Sequence, residues 1–592
     1  MNNRPHATTL ETTPDNALLL RSNYPLGPVA RCTGDWLHHW AAQTPDALFI
    51  AERDGSGWRA LTYAQTLQQI RNLAAWLLAT LGPNAAPIAI LSGNSVNHAL
   101  LSLAAQYIGL ATAPLAEQYS LIPGAHDRLT HLIDILKPSL IYTEDAARYA
   151  DALALPALAN IPVLATNPSK TATPFSLALR GAETDIDAAN QKITPATVAK
   201  ILFTSGSTSH PKGVPTTHGM LCTNQTQIAD AFPFLRTSPP RILDWLPWNH
   251  VFGGSHNFNM MLANGGALYV DDGKPTDDLF PRSLENLNLI TGTLSFNVPI
   301  GYARLLPALR ADPSLRQRFF ENLNFAFYAG ASLPQDIWDG LIDMAHQVTG
   351  RDLMMISSWG MTETAPCGII VHEPVARAGI LGVPVPGVTA KLIPQSEGRY
   401  ELRFKGPNVM TGYYNDPAKT AQAFDGDGYL ITQDAVRFVD PTNPDKGLSF
   451  DGRITEDFKL LSGTWARVAS LRATLLTALG GLATDAIITG HSRADLGALI
   501  VPATPPKTTD NGAATDPAML ADLRQRLATL ANTSTGNSTR IARALVLATP
   551  PALAAHEVTA KGNINTAKLL ANRAALVDRL YGDPPDAAVI IL

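Results

Sequence analysis

The sequence predicts an α/β protein: a large N-terminal domain with mixed, largely parallel sheets and a small antiparallel region, then a smaller α+β C-terminal domain. Three patterns predict it. Apolar runs of strand length alternate with helix-period segments early in the chain, as βαβ units require. From Gly398 onward, runs instead alternate apolar and polar residues, as half-buried antiparallel strands do. Beyond Asp451 the pattern shortens and mixes both kinds.

In chain order, residues 88–91 (Ile-Ala-Ile-Leu) read as a buried strand. Asn94 is placed to cap an apolar helix running to Ile108. Residues 140–142 and 162–164 read as two more strands with an Ala-rich helix between them. Residues 399–404 and 429–439 carry the alternation of half-buried antiparallel strands, and 440–446, rich in Pro, Asn and Asp, is a turn. A boundary falls at residue 451, giving domains 1–451 and 452–592. Residues 505–516, rich in Pro, Thr, Asn and Gly, read as a loop.

Composition bounds the function. The chain has 592 residues, 46% of them apolar, enough for large cores. Only 16% are charged and the net charge is −5, which gives no electrostatic footprint for nucleic acid. Cys32, Cys222 and Cys367 are far apart and form no CxxC pair, so neither a disulfide framework nor a zinc site is expected. A reducing cytoplasm fits that pattern. Residues 1–16 are polar and lack the apolar core of a signal peptide. The longest apolar stretch, 99–116, is interrupted by Ser102, Gln106, Tyr107, Thr112 and Pro114, so it reads as a buried helix entering a strand rather than a membrane span.

The most informative segment starts at Ile201. An apolar strand, 201–203, ends in Thr204, Ser205, Gly206, Ser207 and Thr208. Gly206 lets the backbone turn tightly around an anion, and the four hydroxyls add donors for phosphate oxygens. Lys212 supplies a point charge for the same anion. Thr217 is placed to cap the next helix. This is not a Walker A loop, because Gly213 and Val214 follow the lysine.

Ser-Gly-Ser-Thr-x-x-Pro-Lys-Gly over 205–213 resembles the phosphate loop of the adenylate-forming superfamily: acyl-CoA synthetases, adenylation domains and luciferases. The resemblance runs in order along most of the chain. Ser357-Ser-Trp-Gly-Met-Thr-Glu363 is similar to the family's aromatic-Gly-x-Thr-Glu segment. That resemblance implies that Ser357, Trp359, Gly360, Met361 and Thr362 border the nucleotide, with Trp359 near adenine, Thr362 on a phosphate and Glu363 holding Mg²⁺. Tyr328-Ala-Gly-Ala-Ser-Leu-Pro334 resembles the turn that runs Gly330, Ala331 and Ser332 along adenine and the acyl group. Asp434 matches the ribose-binding aspartate, although Gln433 stands where a glycine is usual. Asp451-Gly-Arg-Ile-Thr-Glu-Asp-Phe-Lys459 resembles the hinge motif: Arg453 makes a second ribose contact and Thr455 is the pivot of a mobile C-terminal domain. Near the end, relatives carry Gly-Lys; here Lys561 precedes Gly562 and Asn563 takes the usual lysine place. Lys561 is expected as the adenylation lysine, Lys568 being a poorer candidate in the following helix. Lys561, His250, Thr204 and Glu363 are the expected catalytic set.

Asp244-Trp-Leu-Pro-Trp-Asn-His-Val-Phe-Gly-Gly-Ser-His256 matches the family's Leu-Pro-x-x-His-x-x-Gly region, which makes His250 a wall or gate of the acyl pocket. His256 carries no comparable signal. Together with residues 456–465 and Lys-Gly-x-Ile-Asn, this segment most resembles bacterial feruloyl-CoA synthases. That implies a hydroxycinnamate such as ferulate. A planar aromatic acid needs an apolar slot, for which Phe252, Phe296, Val298, Pro299 and Tyr328 are the candidates, each of them equally consistent with ordinary core. The implied reagents are ATP, Mg²⁺, coenzyme A and a small carboxylic acid. No nucleic acid or membrane partner is expected, and a homodimer is admitted. Two alternatives stand beside this reading: adenylation of another acid or transfer to a carrier protein, and a nucleotide-binding sensor without turnover.

Overall fold

The computed structural model describes residues 3–204, 211–534, 536–558 and 564–592. It is a mixed α/β architecture with a large N-terminal part and a smaller C-terminal one. A seven-stranded sheet runs in the order Lys212–Thr217, Val198–Thr204, Thr112–Pro114, Ile88–Ile90, Leu140–Asp145, Val163–Asn167, Thr173–Pro174. All neighbours are parallel except the first pair, which is an antiparallel hairpin. Ile88–Ile90 is buried throughout, which is why its sequence shows no apolar–polar alternation.

The helix Val96–Tyr107 packs behind that strand. Its cap is Ser95, which accepts from the His98 amide at 3.0 Å, and not Asn94 as the sequence suggests. Asn94 is used elsewhere. Its side chain donates to the Leu246 carbonyl and accepts from the Trp248 amide, both at 2.9 Å. It thereby pins the 246–248 segment to the sheet.

The antiparallel region is continuous with a larger sheet of eleven strands. Leu294–Asn297, Phe325–Tyr328 and Met354–Gly360 are parallel. The sheet continues through antiparallel neighbours to Tyr400–Lys405, Leu430–Phe438 and the N-terminal hairpin Thr8–Thr12 with Leu18–Ser22. A third sheet, of four strands, contains Arg241–Asp244.

The smaller part is built on Ala483–Thr489, Leu496–Pro502, Ile541–Val546 and Val589–Ile591. Strand alternation splits its apolar side chains between two faces. Ile488, Ile500 and Val546 meet Leu475 and Leu479 of the helix Val468–Leu479 and Leu523 and Leu527 of Pro517–Thr533. Ile487, Leu499 and Leu545 meet Leu569 of the helix Thr566–Asn572 and Leu576 and Leu580 of Ala574–Leu580. Both cores draw only on residues after 457. The loop expected at 505–516 contains a short hairpin, Thr509–Asp510 with Ala513–Ala514. Among the described residues, no helix is long and apolar enough to cross a membrane.

Candidate active site

The hairpin Val198–Thr204 and Lys212–Thr217 sets Thr204 directly opposite Lys212. Its turn, with Ser205, Gly206, Ser207 and Thr208, lies outside the described residues, as does Lys561. The hairpin then enters the helix His218–Ala231, capped as expected by Thr217, which accepts from the Met220 amide at 3.2 Å.

The Lys212 ammonium sits 4.7 Å from the centre of the Tyr413 ring. The Tyr413 hydroxyl donates to Glu363 Oε1 at 2.9 Å. One aromatic ring thus links a cation to a carboxylate that is only 4% exposed. Glu363 lies on the tight turn Thr362–Thr364 after the strand Met354–Gly360, and its carbonyl accepts from the Met410 amide at 2.8 Å. Gly360 is required at the strand end, because a Cβ there would run into the Pro366 carbonyl oxygen.

On the same strand, Trp359 stacks on Phe404 with ring centres 4.7 Å apart and donates its indole N–H to Asp434 Oδ2 at 2.8 Å. Arg453 Nε lies 3.5 Å from Asp434 Oδ1, on the neighbouring strand. Burial raises the Asp434 carboxyl above the ordinary aspartate range, while the Arg453 charge and the Trp359 N–H oppose that rise. The Glu363 charge adds to it, so the two carboxylates lie within electrostatic reach.

Gln433 occupies a left-handed conformation, φ +62°, at a register shift beside Asp434. That backbone favours glycine, and a non-glycine residue there costs about 1–3 kcal/mol. Part of the relief is offset by glycine's larger unfolded-state entropy. Gln433→Gly is therefore expected to stabilise the protein by about 0.5–1 kcal/mol, read from urea unfolding of the two proteins. An unchanged or lower midpoint would show that the strand does not hold that strain.

A second group of polar residues lies beyond Asp244. Leu246 and Trp248 are held by Asn94, and the chain then forms a widened π-helical turn, Phe252–Asn257. Gly253 and Gly254 approach the Leu246 and Trp248 carbonyl oxygens too closely for any side chain. The ammonium of Lys200, buried on Val198–Thr204, donates to the Gly254 carbonyl at 2.5 Å. Burial pushes that ammonium down to about 8. His250 is half-buried just ahead of the turn, and its Nδ1 accepts from the Phe252 amide at 3.2 Å. Inside the turn, the His256 ring lies 5.7, 5.5 and 5.1 Å from the rings of Phe252, Phe296 and Phe327.

Residues 37–414 match the model of the AMP-binding enzyme family, and residues 469–584 match that of the AMP-binding enzyme C-terminal domain. The chain belongs to the AMP-binding enzyme family. A probable 4-coumarate–CoA ligase 3 of Dictyostelium discoideum is 28% identical over 312 residues, 50% of this chain and 52% of that protein. A feruloyl-CoA synthase of Amycolatopsis sp is 26% identical over 433 residues, 68% of this chain and 78% of that protein. The chain thus spans about half the length of the first of these relatives. Among solved structures, ATP-bound MatB from Rhodopseudomonas palustris superposes with a TM-score of 0.68 at 20% identity, covering 91% of this chain and 99% of that one. The anthranilate CoA ligase AuaEII with anthranoyl-AMP gives 0.72 at 18% identity, covering 93% and 98%. At these identities the structures establish the shared fold.

In this AMP-binding enzyme, the chains of contact Lys212–Tyr413–Glu363 and Trp359–Asp434–Arg453 meet along the strand Met354–Gly360 and the Thr362–Thr364 turn. Gly330 turns at φ +87°, with Val298 3.7 Å from where its Cβ would stand. Gly330, Ala331 and Ser332 are all exposed. Trp359 has Phe404 on one face of its ring and Asp434 on its N–H, so it holds the orientation of that carboxylate.

Along Phe325–Tyr328, Phe325 and Phe327 pack with Phe252 and Phe296, while Tyr328 points to the opposite face among Tyr302, Leu333 and Met355. Its hydroxyl accepts from the Gly379 amide at 3.0 Å, on the face away from those phenylalanines. Pro299 starts the helix Pro299–Ala311, where its missing N–H costs nothing.

Sequence patterns do not single out Tyr413, whose only signal is the Gly-Tyr-Tyr run at 412–414. Nor do they single out His256, Asn257 and Asp244, whose signal is polar residues inside an apolar stretch. Among the described residues, no cluster of three or more His, Cys, Asp or Glu forms a cage for a metal. Glu363 suits a magnesium ion that arrives with a triphosphate, since that ion is usually held by one or two carboxylates plus phosphates.

Proposed function

We propose that this chain is an ATP-dependent acid–CoA ligase, forming an acyl-adenylate and then an acyl-CoA thioester, with a hydroxycinnamate such as ferulate as its acid. The observation that carries the reading is the Lys212–Tyr413–Glu363 arrangement beside Trp359–Asp434–Arg453: cation and carboxylate for a triphosphate, carboxylate and guanidinium for a ribose. The relatives named as 4-coumarate–CoA ligase and feruloyl-CoA synthase support the choice of acid and acceptor.

A carboxylate is a poor electrophile, and adenylation replaces its oxide leaving group by AMP. The acid oxygen attacks the α-phosphorus, the α–β phosphoanhydride bond breaks, and pyrophosphate leaves. The chain's contribution is positioning and charge neutralisation. Lys212 and residues 204–208 hold the phosphates, Asp434 accepts from the ribose hydroxyls, and Lys561 bridges the acid and the α-phosphate. Glu363 would hold Mg²⁺, which when bound supplies further neutralisation of phosphate charge. In the second half-reaction, CoA sulfur attacks the acyl carbon and AMP leaves. Lys561 must withdraw for that thiol to enter, so residues 452–592 swing about Thr455 relative to 1–451, with His250 at the thiol's entry.

The test is AMP release by the purified enzyme with ATP, Mg²⁺ and CoA across aromatic and aliphatic acids. Ferulate, 4-coumarate and caffeate are expected to exceed fatty acids and unsubstituted benzoate by at least about tenfold in kcat/KM. AMP release that ignores CoA, or that is greatest with an aliphatic acid, would overturn the assignment.

A further inference from the structure

His256 is 1% exposed and surrounded by three phenylalanine rings. If it only filled this core, a fourth phenylalanine would serve as well. Instead a polar relay fixes its tautomer. The Asn257 amide nitrogen donates to Asp244 Oδ2 at 2.9 Å, and the other Asp244 oxygen accepts from the Leu246 amide at 3.1 Å. Asn257 must then present its carbonyl oxygen to the imidazole, 2.9 Å from Nδ1. The hydrogen is therefore on Nδ1 and the lone pair on Nε2. Burial holds the ring neutral, pushing it down to about 4. Among the described residues, Nε2 has no hydrogen-bond partner. A buried acceptor left unpaired in an apolar setting is an uncommon and costly arrangement, and it calls for a donor.

We propose that His256 Nε2 receives a hydroxyl on the ring of the acyl substrate, so that the acid is an aromatic one carrying a phenolic O–H far from its carboxylate. The inference rests on the ligase reading of the same site and specifies its substrate class. The placement is compatible: His250, expected near the carboxyl end of the acid, stands just ahead of the π-helical turn Phe252–Asn257, and His256, at the ring end, lies within it. Phe252, Phe296 and Phe327 supply flat apolar contact between those ends. An acid without the hydroxyl leaves Nε2 unpaired, and a methoxy group in its place offers no proton. Sites built to receive a hydroxyl discriminate strongly against analogues that lack it.

The experiment is calorimetric binding of 4-hydroxycinnamate, 4-methoxycinnamate and cinnamate to the full chain, with a non-hydrolysable ATP analogue and Mg²⁺ present. The hydroxylated acid is expected to bind at least about 10²-fold tighter than the other two. His256→Phe should bring the three within about threefold by weakening only the first, and His256→Gln, which keeps an acceptor, should restore about tenfold preference. Unchanged affinity for the ATP analogue marks both variants as folded. Equal binding of the three acids by the wild type, or preference retained in His256→Phe, would overturn the proposal. The wild-type comparison decides by itself if a variant fails to fold. Selective binding without adenylate formation would sink the ligase reading and leave this one standing; adenylation indifferent to the hydroxyl would do the reverse.

Discussion

Replacing Glu363 by glutamine is expected to lower acid-dependent exchange of pyrophosphate into ATP by about 10²–10³-fold, with little change in stability. Glutamine has the same shape, and its amide oxygen can still accept from the Tyr413 hydroxyl that now donates to Glu363 Oε1. What it lacks is the negative charge. That charge stands 4% exposed beside Tyr413, whose ring also carries the Lys212 ammonium. A divalent ion riding on a triphosphate is usually held by one or two such carboxylates. The variant removes the electrostatic part of the site and leaves its packing. Tyr413→Phe should lose only about tenfold, because it removes one neutral donor while the carboxylate remains. Exchange within about twofold of wild type in Glu363→Gln would place the reacting phosphates elsewhere.

Arg399→Met is expected to be the most destabilising single change, by about 3–5 kcal/mol. The Arg399 side chain is 2% exposed and so is that of Asp457, which it meets at 2.5 Å. Arg399 also donates to the Asp451 carbonyl at 2.8 Å and lies 3.2 Å from the Asp451 carboxylate. It therefore ties the strand Tyr400–Lys405 to both sides of the expected pivot at Thr455. Without it, Asp457 keeps Arg467 at 3.2 Å and the Val468 amide at 3.1 Å, too little for a buried anion. Removing both charges, as Arg399→Met with Asp457→Asn, should recover much of the loss, because breaking a buried pair costs more than deleting it. Limited proteolysis across residues 440–470 and denaturant unfolding read both effects. If Arg399→Met unfolds with the wild-type midpoint, the junction is held by something else.

Part of the fold and of the site is legible in the sequence, for identifiable reasons. The strand at 201–203 is wholly apolar and bounded by a hydroxyl-rich run, so its existence and end are both written locally. The helix cap near Asn94 is not recoverable that way, since Ser95 is an equally good cap and the choice is decided by Leu246 and Trp248, more than 150 residues away. The face that Tyr328 takes is not legible, because its strand, Phe-Ala-Phe-Tyr, is buried on both sides and has no polar residue to set the parity. The role of His256 depends on Phe296 and Phe327, which other strands bring in, and on an Asn257–Asp244 bond that no local pattern announces. Arg399 looks like any surface arginine until Asp451 and Asp457 fold over it. What neighbouring residues write together is thus readable, and what depends on distant partners is not.

The proposal places the triphosphate of ATP on residues 204–212 and Glu363 and its ribose on Asp434, so that an organic acid can displace pyrophosphate. Exchange of labelled pyrophosphate into ATP by the unmodified protein, in the absence of CoA, tests it most directly. The account predicts exchange that requires both Mg²⁺ and an added aromatic acid. No exchange above background with any acid, despite measurable ATP binding, would contradict it.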